Sequence, residues 1–306
     1  MTTMYDCIII GGGPAGLNAA LVLGRAKRKV LIIDDGNPRN KVTHESHGYL
    51  TRDRIKPAEF RRIAYEEVLR YPTVEHMAKR AQVMKQQADD TFSVQLLDGS
   101  IVYARKLLIT TGLKEAFPAL PGLKECYGTS VFNCPFCDGW EMQHHKLAVI
   151  AGPAGVMHLT KMLYAWNREL IVFTNGLDVL DQDQLQQLER HHIPVVTTPI
   201  AALQHQDGQL TAIELEDGTK IERSGGFIVP ELQYEVADQN LLHYEVNEHG
   251  SIVTDAYGMT TTKGVYSAGD VTITGPSQLI LAAAAGSRTG AMIHATLMEE
   301  EWAVVD

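Results

Sequence analysis

The sequence has 306 residues, 45% of them hydrophobic, and a formal charge of −10 at pH 7. That is enough apolar material for two domains, and the charges are interspersed with no basic stripe, which argues against a nucleic-acid partner. No apolar run approaches the ~20 residues of a membrane helix, and the first residues carry no basic cluster of a signal peptide, so a cytoplasmic protein outside membranes is expected.

The chain opens on Tyr5-Asp6-Cys7-Ile8-Ile9-Ile10, which reads as a buried parallel strand. Gly11-Gly12-Gly13-Pro14-Ala15-Gly16 follows, then an Ala/Leu-rich helical run through Leu23. A second apolar run, Val30-Leu31-Ile32-Ile33, ends in Asp34-Asp35. Strand, glycine turn, helix, strand and acid form a dinucleotide-binding unit with its expected spacing. Gly11 allows the tight turn. Gly13 lets a pyrophosphate approach the backbone, and Gly16 lets helix and strand pack closely. The helix N-terminus offers N–H groups to phosphates, and Asp34 or Asp35 can accept from a ribose hydroxyl.

A polar stretch runs from Pro38 to Asp53, with His44 and His47 on what reads as loop. Helical periodicity resumes over 57–70, and strands are expected at 92–97 and 107–111. Pro118, Pro121, Gly122 and Gly128 mark a crossover between domains. A near-repeat of the opening follows: strand 146–150, the turn Ala151-Gly152-Pro153-Ala154-Gly155, a helix through Trp166 and the strand 170–173. Short strands follow around 210–215 and 227–229. Then 252–255 and 264–267 lead to Ala268-Gly269-Asp270, and a long helix over about 277–298 closes the pattern.

Cys134-Pro135-Phe136-Cys137 is a CxxC motif followed by Asp138. Four scattered cysteines do not make a disulfide scaffold, so the close pair points to redox work or metal binding. Two cysteines at this spacing can close a small disulfide, and a thiolate at a helix start has a lowered pKa. Asp138 stands where thiol exchange needs a proton carrier. A zinc site would need two further ligands. The adjacent His144-His145 are poorly placed to share one ion, and there is no second CxxC, so no metal is expected. Cys7 and Cys126 read as small core residues. A nucleotide-binding unit with a CxxC suggests electrons moving between a flavin and a disulfide.

These segments, with Gly264-Val265-Tyr266-Ser267-Ala268-Gly269-Asp270, resemble low-molecular-weight thioredoxin reductases over nearly the whole chain. Asp34-Asp35-Gly36-Asn37-Pro38-Arg39-Asn40, His47-Gly48 and Gly139-Trp140-Glu141 resemble one branch of that superfamily more closely. It holds thioredoxin-reductase-like proteins and dithiol oxidases that close disulfides in gliotoxin-type and holomycin-type natural products. The resemblance implies an α/β fold of two Rossmann-like, three-layer ββα domains. A discontinuous FAD domain would span 1–117 and 246–306, with a central NAD(P)H-domain-like part over 118–245 carrying the CxxC. It further implies a homodimer acting on a small-molecule dithiol or a thioredoxin-like protein. By the same resemblance Cys137 faces the flavin, Cys134 attacks the substrate disulfide and Asp138 is the acid/base. The implied FAD set is Gly11, Gly13, Pro14, Ala15, Gly16, Asp34, Asp35, Arg39, Asn40, His47, Thr111, Gly112, Gly269, Asp270 and Gln278.

The central domain departs from the pattern. The turn after Val149-Ile150 fits GxGxxG or GxGxxA in neither register, and Pro153 removes an N–H. After Phe173 come Thr174-Asn175-Gly176, with neither the arginines of an NADPH site nor the acid of an NADH site. Arg168 and Arg190 lie before and well beyond that strand. The expectation is FAD without efficient NADPH use. Electrons would then come from a substrate dithiol, with oxygen as acceptor, or from an external donor such as a ferredoxin. Asp138, where the dithiol oxidases often carry His, keeps reductase and oxidase directions both open. A non-catalytic flavin redox sensor is the alternative of another class.

Overall fold

The computed structural model describes residues 3–152, 155–234, 239–272 and 277–303. The chain divides into two compact units. The first comprises Met1–Arg39, Ala58–Lys114 and Gln233–Asp306, and the second Asn40–Pro57 and Glu115–Leu232.

The first unit is built on a seven-stranded sheet among the described residues. Met4–Ile10 lies between Val30–Ile33 and Ile101–Ile109, parallel to both. Its second half, Cys7 to Ile10, is apolar on both faces because both faces are covered there. Ile8, Ile10, Leu31 and Ile33 pack on one side with Phe92 and Tyr244, while Cys7, Ile9, Val30 and Ile32 pack on the other with Leu108 and Ile293. Cys7 is thus a core residue. Ala81–Gln86, Phe92–Leu96 and Ile101–Ile109 form an antiparallel meander, and the last half of Ile101–Ile109 pairs in parallel with Val265–Ser267. The helices Pro14–Arg25 and Leu279–Trp302 pack directly on each other. They come so close at Gly286 that a Cβ there would sit 1.9 Å from the Ala15 carbonyl oxygen.

The second unit holds a five-stranded parallel sheet, ordered Val195–Val196, Leu170–Phe173, Leu147–Ile150, Gly225–Ile228, Val131–Phe132. The helix Val156–Leu163 ends three residues short of the expected Trp166. Ile200–Gln206, Gln209–Leu215 and Lys220–Glu222 form a separate antiparallel sheet. All five parallel strands point their C-terminal ends the same way, so residues 133–137, 151–152 and 174–175 leave the sheet at one edge.

The chain changes units at 114/115 and 232/233, where the sequence suggested 117/118 and 245/246. Leu242 and Tyr244 belong to the first core, and Phe117 stacks on Tyr127 with ring centroids 4.4 Å apart in the second. Segment 40–57, expected with the first block, groups with the second unit. A Ser46–Ile55 bridge folds it on itself, and Val42 lies against Gly128. Residues 252–255, which lead toward Asp270, contribute a single bridge, Val246 to Ile252.

Candidate active site

The dithiol is built at the end of Val131–Phe132. Asn133 Nδ2 donates to Glu115 Oε1 at 2.6 Å, and the Tyr127 hydroxyl donates to Glu115 Oε2 at 2.7 Å. This anchors the residue before Cys134. Cys134 has extended backbone and opens the single helical turn Pro135–Asp138, with Pro135 at its first position. The Cys134 carbonyl accepts from the N–H of Cys137 and of Asp138 at 3.0 and 3.1 Å. The two sulfurs form a disulfide, with Cα atoms 5.2 Å apart. Gly139 has to be small, because a Cβ there would sit 2.4 Å from the Pro135 carbonyl oxygen. Phe136 is exposed and meets Trp166 edge-on at 5.6 Å, and Trp140 is exposed as well.

Asp138 is the perturbed group here. Burial, and after it the Glu141 carboxylate, push its carboxyl up to about 7. A carboxyl poised near neutrality can both give and take a proton. Cys126, by contrast, is buried, and its thiol is raised first by that burial.

In the first unit the glycine turn behaves as its spacing requires. A Cβ on Gly16 would fall 2.0 Å from the Gly11 carbonyl oxygen, so helix and turn touch there, whereas a Cβ on Gly13 would meet nothing within 4 Å. That open face lies beside the N-terminus of Pro14–Arg25, where no side chain caps the helix. Asp34 and Asp35 separate cleanly. Asp34 accepts from the Gly12 N–H, from the Gly36 N–H at 2.6 Å and from Arg61 Nη2 at 3.1 Å. Burial raises the Asp34 carboxyl, but Arg61 and those N–H groups outweigh it and hold it below the usual range. Asp35 turns away toward Arg80, at 3.9 Å.

Arg39 and Asp270, far apart in sequence, meet: Arg39 Nη2 donates to Asp270 Oδ2 at 2.9 Å. Gly269, with φ +83°, sets up the short turn Asp270–Thr272. Thr111 and Gly112 (φ +73°) follow Ile101–Ile109, and Gln278 is the N-cap of Leu279–Trp302. Asn40 and His47 lie in the segment that groups with the second unit. The Asn40 carbonyl accepts from Thr43, and His47 is ringed by Glu141, Asp53 and Glu45 at 3.8, 3.7 and 4.0 Å.

Arg61, Thr110 and Glu115 were not singled out by sequence. Arg61 Nη1 also donates to the Gly12 carbonyl at 2.7 Å, and Thr110 Oγ1 donates to the Gly11 carbonyl at 2.8 Å. Their partners lie 12 to 99 residues away, and no local pattern marks them.

The second nucleotide-like turn is different. Pro153 and Ala154 lie outside the described residues. Gly152 backs onto the Val229 carbonyl, where a Cβ would come within 2.3 Å. Asn175, at the end of Leu170–Phe173, has φ +53°, and its Oδ1 accepts from the Ile200 N–H at 2.8 Å. Arg168 stacks on Tyr164 at 3.5 Å, at the start of that strand and so about 13 Å of strand away from Asn175. Arg190 Nε donates to the Gln186 carbonyl of its own helix at 3.2 Å.

Compared with known families, residues 5–286 match pyridine nucleotide-disulphide oxidoreductase. The chain belongs to that family. A putative thioredoxin reductase TrxB from Bacillus anthracis is 40% identical, with TM-score 0.93 over 97% of this chain and 99% of that one. The structure of HlmI is 30% identical, with TM-score 0.94 over 99% and 96%. Thioredoxin reductase aclD of Aspergillus oryzae is 31% identical over 87% of this chain and 88% of its own. Within the family the chain is a flavoprotein disulfide oxidoreductase of thioredoxin reductase type, with the two Rossmann-type parallel sheets such a protein needs.

Proposed function

We propose that the protein passes electron pairs between FAD and a thiol substrate through Cys134–Cys137, and that its central nucleotide turn does not serve NADPH. The observation that carries this is the end of Leu170–Phe173. There Asn175 is committed to the Ile200 N–H, and the two arginines considered for a 2′-phosphate are engaged elsewhere.

The first unit fits FAD. The open face over Gly13 and the uncapped helix N-terminus suit a pyrophosphate, with Pro14, Ala15 and Gly16 forming the first turn. Asp34, held ionised by Arg61, offers the acceptor edge, and the Arg39–Asp270 pair with Gly269, Thr111, Gly112 and Gln278 supplies the remaining groups. When bound, FAD supplies a two-electron carrier.

The chain's own residues do the thiol chemistry. A substrate thiolate attacks Sγ of Cys134, the Cys134–Cys137 bond breaks, and Asp138 gives a proton to the released Cys137 thiolate. A second substrate thiolate then displaces Cys134. The products are a substrate disulfide and a protein dithiol, and the reverse sequence reduces a substrate disulfide.

The same reading makes the protein a cytoplasmic homodimer. Exposed Ile280 and Leu281 on the final helix supply apolar surface for a second copy. A small-molecule dithiol and a thioredoxin-like protein are the substrate classes, with a ferredoxin-like donor as an external source of electrons.

Anaerobic titration of the FAD-loaded protein with NADPH, NADH and dithiothreitol tests the proposal through flavin absorbance. Bleaching by dithiothreitol but not by stoichiometric NADPH is expected. Rapid stoichiometric bleaching by NADPH would overturn the claim about the central turn. Loss of dithiol bleaching in Cys137→Ser is expected, and its persistence would remove the dithiol from the path. Peroxide on admitting air would assign the oxidase direction.

A further inference from the structure

Segment 40–57 brings one side chain, His47, to Glu141 in the turn that follows the CxxC. His47 is nearly buried, with 12% of its side chain exposed, and it faces three carboxylates. Glu45 and Asp53 come from its own segment, and Glu141 comes from the turn just after Asp138. The Nε2–Glu141 separation of 3.8 Å is an ion-pair distance rather than a hydrogen bond, so this contact works through charge and not through a shared proton. Glu141 lies one turn beyond Asp138, whose carbonyl accepts from the Met142 N–H at 3.1 Å, and after burial the Glu141 carboxylate pushes the Asp138 carboxyl up.

We propose that His47 is a positioning residue for thiol exchange: by neutralising Glu141 it sets the charge that Asp138 faces. The proposal rests on the reading of Asp138 as proton carrier. The logic is a relay of signs. Glu141 disfavours the Asp138 carboxylate, and a cation at position 47 offsets Glu141 and so favours that carboxylate. Glu45 and Asp53 add two further carboxylates around position 47, at 4.0 and 3.7 Å. The loop thereby tunes the acid without touching it.

The test is the midpoint of the protonated-carboxyl infrared band of oxidised, FAD-loaded protein, assigned to Asp138 by its loss in Asp138→Asn. Glu141→Gln is expected to lower the midpoint by about half a pH unit, a modest shift for a partly exposed pair, and His47→Gln to raise it by a similar amount. The double variant His47→Gln/Glu141→Gln is expected to match Glu141→Gln alone. His47→Lys, which keeps a cation, is expected to leave the midpoint near wild type. An unmoved midpoint in His47→Gln overturns the proposal, as does an equal shift in the Glu141→Gln background. Near-ultraviolet circular dichroism separates either result from a misfolded variant. Failure of the underlying reading looks different: Asp138→Asn would exchange thiols at the wild-type rate while the charge relay still moved the band.

Discussion

Asp138→Asn removes a carboxyl whose ordinary value of 3.8 is pushed up to about 7, by burial first and Glu141 second. Between those two values the folded chain keeps a proton that the unfolded chain has released. Stability therefore falls as pH rises from about 4 to about 7 and is level above that. Three units of displacement correspond to about 4 kcal/mol at the upper limit, and the exposure left to the carboxyl brings this to roughly 2 to 4 kcal/mol. Asparagine has the same shape and no charge to bury. The variant is expected to be the more stable protein in alkali, its advantage growing by roughly 1 to 2.5 kcal/mol between about pH 5 and about pH 8.5. Thiol exchange is expected to fall ~100-fold or more, since the proton carrier is gone. Urea unfolding of the FAD-loaded, oxidised proteins at the two pH values measures the first effect. An advantage that does not change with pH, or a wild type that is more stable in alkali, would refute the argument.

Three further outcomes follow from the same geometry. Gly16→Ala places a Cβ 2.0 Å from a backbone carbonyl oxygen that cannot yield, so the purified protein is expected to have lost most of its flavin and about 2 kcal/mol of stability, read from absorbance and melting. Arg39→Ala leaves Asp270 without its 2.9 Å partner, and a cost of about 1 to 2 kcal/mol in urea with weaker FAD retention is expected. Asn175→Ala loses the bond to the Ile200 N–H and forces alanine to φ +53°, which is expected to cost about 2 kcal/mol while leaving the response of the flavin to NADPH unchanged.

What the sequence makes legible is what is local. Gly11–Gly16 and Cys134–Cys137 are each closed within a few residues, and the constraints on Gly16 and Gly139 come from carbonyls five and four positions away. The acid at the end of Val30–Ile33 is only half legible. Asp34 and Asp35 are equivalent as letters, and Arg61, 27 residues on, accompanies Asp34 while Arg80 engages Asp35. The polar stretch 40–57 has no periodicity to say which core it joins, and its attachment depends on contacts such as Val42 with Gly128 and His47 with Glu141. The long strand Ile101–Ile109 was expected only in part, over 107–111, because its first half is half-exposed and pairs antiparallel while its second half is buried and parallel.

The split of the first unit also dictates an order of events during synthesis. Val265–Ser267 pairs with Leu107–Ile109, and 155 residues separate the two partners in the chain. At roughly 5–20 residues per second, the ribosome takes on the order of ten to thirty seconds to deliver the second strand after the first. Through that interval Ile109 has no partner on that side, while residues 115–232 have already emerged and can complete their own core. Asp270 emerges just after Val265–Ser267, and Arg39 waits for it. On the proposed reading of the Arg39–Asp270 pair as part of the FAD site, flavin capture is then one of the last acts of a nascent chain, and a ribosome stalled before residue 270 leaves a protein with a finished dithiol unit and half of a nucleotide site.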